Sequence, residues 1–163
     1  DSGHKQAVIN AMKEAHPYEE VAYEVFTLHE PNVGRTLGRI GELPETMDFE
    51  SFREHLQESL PHANLRFGGI KKDSIKTIAL CSGGGAEFIK NAVKADAYVT
   101  GDVKYHDAQL AKELGLLVVD AGHFGTEEIV ADGIRDYLRD QSDKGGWEIA
   151  VQSFENQADF FFE

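Results

Sequence analysis

One cysteine, Cys81, is present in 163 residues. The chain therefore cannot close an intrachain disulfide, and a reducing, cytoplasmic setting is expected. Basic residues are scarce: 16 Lys and Arg stand against 29 Asp and Glu, a formal charge of −13. Binding to a phosphate backbone depends on clustered Lys and Arg, so no nucleic-acid partner is expected. Arg66 with Lys71, Lys72 and Lys76 is the one basic concentration, and it reads as a solvated loop. Long apolar runs are missing too. None approaches the roughly 20 residues of a membrane span, and stretches such as Leu114–Val119 are strand-sized. The polar start Asp1–Gln6, with no apolar segment after it, does not resemble a signal peptide. Nor is there an initiator Met, which reads as a start other than the translated one, and so as a fragment. The apolar content of 41% is nonetheless enough for a real core.

What is present is a succession of short elements with clear punctuation. Lys5–Ala15 reads as a helix stopped by Pro17. A strand is expected from Val21 to Leu28, rich in β-branched and aromatic residues. His29–Glu45 holds Pro31, Gly34, Gly38, Gly41 and Pro44, so it reads as loop with at most one short strand, and as the domain boundary. Asp48 is placed to cap a helix to about Ser59, with Phe49, Phe52, Leu56 and Leu60 on one face. From Ile75 onward three β–loop–α units follow one another. Their strands are Ile75–Cys81, Ala97–Thr100 and Leu116–Asp120. Their helices are Ala86–Val93, one capped by Asp102 and ending near Leu114, and one capped by Thr126 and ending near Leu138. Glu148–Phe154 is expected to close the sheet, and Asp159–Glu163 to form an edge strand or an interface. The fold class is α/β with parallel pairings. In such sheets the loops after the strands share one edge, where ligands bind. Ser82–Gly85, Gly101–Asp102 and Ala121–Gly125 should therefore line one cleft.

The strongest chemical pattern is Gly122-His-Phe-Gly-Thr-Glu127. His123 and Glu127 are four residues apart, a spacing at which an imidazole nitrogen and a carboxylate oxygen can converge on zinc, iron or manganese. The same spacing also suits a histidine satisfying a buried hydrogen bond and a glutamate complementing a helix dipole. On the neighbouring loop and helix, His106 and Asp102 are candidate catalytic residues, His106 as a general acid or base. Asp102 has a sufficient alternative role as a helix cap. Ser82, Gly83, Gly84 and Gly85 offer unobstructed backbone amides for a phosphate, although a tight strand-to-helix turn accounts for them nearly as well. Cys81 borders that loop and reads as a small core residue rather than a nucleophile. His16-Pro-Tyr-Glu-Glu20 could bind a ligand at a domain edge, although a helix stop and a polar strand entry explain most of it. Catalytic metals usually take three or more protein ligands, and His123 with Glu127 gives two.

Four stretches resemble the NGG-interacting-factor-three-like family, often labelled GTP cyclohydrolase 1 type 2 homolog. They are Ala15-His-Pro-Tyr-Glu-Glu-Val-Ala-Tyr23, Gly38-Arg-Ile-Gly-Glu-Leu43, Thr100-Gly-Asp-Val-Lys-Tyr-His-Asp-Ala108 and Asp120-Ala-Gly-His-Phe-Gly-Thr-Glu127. The resemblance implies part of a ferredoxin-like, PII/CutA-like insert over residues 1–43 and the closing half of a metal-binding α/β core domain over residues 44–163. It implies a site of two divalent metals built from both halves of the core. The family's Gly-His-x-x-Thr-Glu pattern falls on His123 and Glu127, and Asp102 and His106 line the same cavity. The family's opening half, with its His-His pair and a further Asp, has no counterpart in this sequence. The implied activity is metal-dependent hydrolysis of a nucleotide-like substrate. The implied alternative is a PII-like regulatory or scaffold protein without catalysis. A homo-oligomer, hexameric in the family, is the expected partner state. With only part of the insert present, intermolecular pairing through residues 18–28 is expected.

Overall fold

The computed structural model describes residues 4–26, 37–154 and 158–160. The chain divides into two compact units, Asp1–Arg35 and Thr36–Glu163. In the first, α1 spans Lys5–Ala15, as the periodicity predicts. His16 then turns to extended backbone, because the ring of Pro17 disfavours helical geometry in the residue before it. The strand expected over 21–28 is not formed by residues 21–26, and 27–28 lie outside the described residues.

The second unit is a five-stranded sheet built from β1 (Arg39–Met47), β2 (Arg66–Gly69), β3 (Ile75–Leu80), β4 (Ala97–Thr100) and β5 (Leu117–Asp120), in the order β1-β3-β4-β5-β2. β3, β4 and β5 run parallel, whereas the two edge strands are antiparallel to their neighbours. β4 and β5 are buried on both faces, so their side chains alternate between two cores. Ala97, Val99, Leu117 and Val119 meet Phe52 and Leu56 of α2 (Phe49–Ser59). Tyr98, Leu116 and Val118 meet Ala111 of α3 (Tyr105–Glu113) and Ile89 of a short 3-10 turn, Ala86–Asn91. Burying a side chain such as Phe52 or Leu117 contributes about 1.5–3 kcal/mol. The α2 cap is as expected: the Asp48 carboxylate accepts the Ser51 amide at 2.8 Å.

Several expectations are corrected. β1 is longer than the one short strand expected in His29–Glu45 and runs past its end, while the division into two units after Arg35 falls within that stretch. An edge strand tolerates Pro44, and its pairing with β3 is irregular between Glu42 and Met47. β2 lies where a solvated loop was expected, with Arg66 opposite Asp120. α3 starts at Tyr105 rather than behind Asp102, and Asp107 accepts the Lys104 amide at 2.9 Å. The helix expected from Thr126 is instead α4 (His123–Glu127) followed by α5 (Ile129–Gly145). Glu148–Phe154 forms no strand. Its polar groups bond to α5 instead: Arg139 donates to the Val151 carbonyl at 2.9 Å and Arg135 to the Ser153 hydroxyl at 3.1 Å. Asp159 and Phe160 are exposed and not in a strand, and the rest of that tail lies outside the described residues. No helix among the described residues is long and apolar enough to cross a membrane.

Candidate functional site

Parallel pairing of β3, β4 and β5 brings their three following loops to one edge, and hydrogen bonds tie the loops together. Gly101 donates its amide to the Gly83 carbonyl at 2.8 Å. The Gly83 amide is donated to the Thr126 hydroxyl at 2.8 Å, and that hydroxyl lies within donating distance of the Gly122 and His123 carbonyls, at 2.9 and 3.0 Å. Thr126 is thus a clasp between the first and third loops rather than a helix cap. Gly101 shows how close the loops run: a Cβ there would stand 2.6 Å from the Gly122 carbonyl carbon.

His123 lies between two carboxylates. Its Nδ1 is 2.7 Å from Asp102 Oδ2, and its Nε2 is 3.4 Å from Glu127 Oε2. Asp102 adopts φ +57°, the chain's one non-glycine residue with positive φ among those described. This left-handed conformation costs most side chains about 1–2 kcal/mol. Asp102 holds it while its carboxylate faces the His123 ring, a function the expected cap role did not anticipate. The Asp102 hydrogen bond raises the imidazole above its ordinary pKa, opposed by desolvation and helped further by the negative charges of Glu127 and Asp102. All three side chains remain about half exposed. Gly83, at φ +65°, forms the floor under them. Its positive φ favours a glycine, and a Cβ there would displace the tips of Glu127 and His123.

The glycine loop is this floor, and its amides are partly committed. Gly85 donates to the Thr100 hydroxyl at 3.0 Å, and Gly83 donates to Thr126. The following element is a 3-10 turn rather than an α-helix. Gly84 faces Asp102, whose Oδ2 would stand 3.2 Å from a Cβ there, and Ser82 belongs to the same turn. The carboxylates beside this loop suit a cation better than a phosphate. Cys81 is buried, as expected of a core residue. His106 is exposed on the first turn of α3, where its Nδ1 is 3.4 Å from Gln109 Oε1 and its ring is edge-on to Tyr105. It shares the sheet edge with His123 and Glu127 but does not line their cleft.

That cleft is open, about 1030 Å³, and its walls include Arg66, Asp102, Asp120, His123, Glu127 and Glu128. Two of these residues are not singled out by spacing, although Asp120 opens the stretch that resembles the family. Asp120 is buried; it pairs with Arg66 and accepts the Gly122 amide at 3.1 Å. Glu128 accepts from His62 across the cleft rim. Their signal is their adjacency to His123 and Glu127 combined with a pairing partner distant in sequence. Among the described residues no group of three or more His, Cys, Asp or Glu side chains is arranged to enclose a metal ion. The residues present fit part of a metal shell. Two ligands of a tetrahedral cation at metal distances near 2.1 Å stand roughly 3.4 Å apart, and His123 Nε2 and Glu127 Oε2 are 3.4 Å apart.

Comparison with known proteins places these features in a family. The Bacillus subtilis (strain 168) protein "GTP cyclohydrolase 1 type 2 homolog" is 39% identical over 132 residues, which are 80% of this chain and 35% of that protein. This chain spans about a third of the length of the curated relatives it matches. Among solved structures, a Bacillus cereus protein related to NIF3 matches with a TM-score of 0.75 and 36% identity, covering 99% of this chain and 45% of that one. The Staphylococcus aureus protein SA1388 also matches with a TM-score of 0.75, at 28% identity, over 100% of this chain and 53% of that one. The family described as Duf34/NIF3 (NGG1p interacting factor 3) matches residues 3–159, and this chain belongs to it.

Proposed function

We propose that the edge formed by the loops after β3, β4 and β5 is half of a divalent-metal centre, and that the complete centre hydrolyses a nucleotide-like substrate. The observation that supports this most is the placement of His123 between Asp102 and Glu127. Metal-bound histidines regularly donate their second ring N–H to a carboxylate, which fixes the tautomer and aims the other nitrogen at the ion. Asp102 is positioned to do this at Nδ1, leaving Nε2 beside the Glu127 carboxylate. His123 and Glu127 are then the ligands of zinc, iron or manganese, and Asp102 is a positioning residue. The further ligands come from groups outside those described. A bound divalent cation supplies Lewis acidity towards water and towards a phosphoryl or ring substrate. The carboxylates along the cleft favour a cation, and the name carried by the curated relatives supports a nucleotide-like substrate. His106, at the same sheet edge and exposed, is the candidate proton carrier.

The test is turnover. Hydrolysis of GTP or another phosphorylated cyclic substrate, supported by zinc, iron or manganese, should be lost in His123→Ala together with the metal. In His106→Ala it should be lost while the metal is retained. Absence of turnover on every such substrate by protein whose metal centre is complete and loaded would contradict the hydrolytic reading and leave a binding or regulatory role.

A further inference from the structure

The metal cleft is not the only opening at this edge. A second, smaller cleft of about 310 Å³ adjoins it, with walls that include Phe67, Lys104 and Tyr105. Arg66 and Asp120 line both clefts, so the Arg66–Asp120 pair is the partition between them. The pairing is built into the sheet, because Arg66 of β2 stands opposite Asp120 of β5 in register. Asp120 is 7% exposed and holds the guanidinium from below, whereas the Arg66 side chain is 73% exposed. Both Arg66 hydrogen bonds, to Asp120 Oδ2 and to the Val103 carbonyl at 3.1 Å, use Nη2. Its Nε and Nη1 have no partner among the described residues.

Charge decides what such a fork meets. Around the His123 cleft, Asp102, Asp120, Glu127, Glu128 and Asp159 are acidic, and Arg66 is the one lysine or arginine among the described residues. In the adjoining cleft Lys104 is added, beside the exposed ring of Tyr105. Along both clefts, Arg66 and Lys104 are therefore the fixed cations among the described residues that can receive an anionic group of a ligand. We infer that Arg66 is the anion-contacting, specificity-determining residue of the site. It grips a phosphate of the substrate at the junction of the two clefts, with Lys104 beyond it, while the reacting end reaches His123 and Glu127. A guanidinium already held by a carboxylate loses little freedom on binding, and its Nε–H and Nη1–H groups remain to donate singly to phosphate oxygens. The substrate class is then a phosphorylated compound, with Tyr105 offering a ring face in the second cleft. This inference rests on the hydrolase reading for its substrate but not for its binding test.

Titration calorimetry of the chain with GTP, guanosine and inorganic phosphate tests it, with metal content measured in parallel. GTP and phosphate should bind, and guanosine should bind at least tenfold more weakly than GTP. Arg66→Gln should weaken GTP binding at least tenfold, leave guanosine unchanged and leave metal content unchanged, while Arg66→Lys should be intermediate. Arg66→Gln leaves Asp120 unpaired, so the double variant Arg66→Gln/Asp120→Asn, checked by circular dichroism, guards against a folding defect and should show the same loss. Lys104→Gln should cost less than Arg66→Gln. A folded Arg66 variant with wild-type GTP affinity would overturn the inference, as would equal binding of guanosine and GTP, or no binding of GTP and phosphate. Metal loss in His123→Ala reports on the hydrolase reading separately: Arg66-dependent GTP binding with a metal content that His123→Ala does not reduce would sink that reading and leave this one standing.

Discussion

Asp102 Oδ2 lies 2.7 Å from His123 Nδ1 across two loops that are 21 residues apart in sequence. The contact converts a surface histidine into an oriented one. It also explains why Asp102 occupies a left-handed conformation that most residues avoid.

If Asp102 orients a metal ligand, Asp102→Asn should lower metal affinity by about 10–100-fold, the usual effect of losing such a supporting carboxylate. Asparagine tolerates the left-handed backbone, so the fold should be kept. Zinc or manganese titration of the variant beside the wild type measures this, with circular dichroism as the control. An unchanged affinity would remove Asp102 from the site.

Gly83 should not accept a side chain. Alanine there meets Glu127 Oε1 at 2.4 Å and takes up φ +65°. Gly83→Ala should therefore destabilise the protein by about 1–2 kcal/mol from the backbone alone and displace Glu127 as well. Thermal unfolding and metal titration of the same sample separate the two effects. A variant that unfolds like the wild type and binds metal equally would contradict the packing described.

Thr126 joins the first and third loops through one hydroxyl. Thr126→Val keeps the shape and leaves the half-buried Gly83 amide without its acceptor, at a cost of about 1–3 kcal/mol. Thr126→Ser should restore most of that loss in denaturant unfolding. Equal stability of the valine and serine variants would show that the hydroxyl is dispensable.

Tyr98 is buried on β4 and donates to the Gly85 carbonyl at 2.8 Å. Burial raises its hydroxyl from 10.0 to about 12. The folded state thus keeps a proton that the unfolded chain releases at lower pH. The stability linked to this group is intact below about pH 10 and is lost as pH rises towards 12. In an alkaline titration followed by tyrosinate absorbance, one of the five tyrosines should lag, and Tyr98→Phe should abolish the lag. A titration unaltered by that substitution would contradict the assignment.

Much of this edge is legible in the residues, for reasons that are local. β3, β4 and β5 are short apolar runs punctuated by Ser82–Gly85, Gly101 and Ala121–Gly122, and their succession suffices to place three loops together. His123 and Glu127 are conspicuous by spacing. The role of Asp102 is not visible in spacing, since a residue just ahead of a helix reads as a cap; the family resemblance puts it in the cavity, and the long-range contact with His123 shows what it does there. β2 escapes because Arg-Phe-Gly-Gly has little strand character of its own and is held by pairing with β5. β1 is hidden by Gly41 and Pro44, which an edge strand accommodates. Glu148–Phe154 has the composition of a strand, yet its polar groups are claimed by Arg135 and Arg139 of α5.

The central claim is that His123 and Glu127 hold a metal, and elemental analysis of the purified chain beside His123→Ala and Glu127→Gln tests it most directly. The account predicts bound zinc, iron or manganese in the wild type, and its loss from both variants while circular dichroism shows the fold retained. Retention of the wild-type metal content in either folded variant would contradict it.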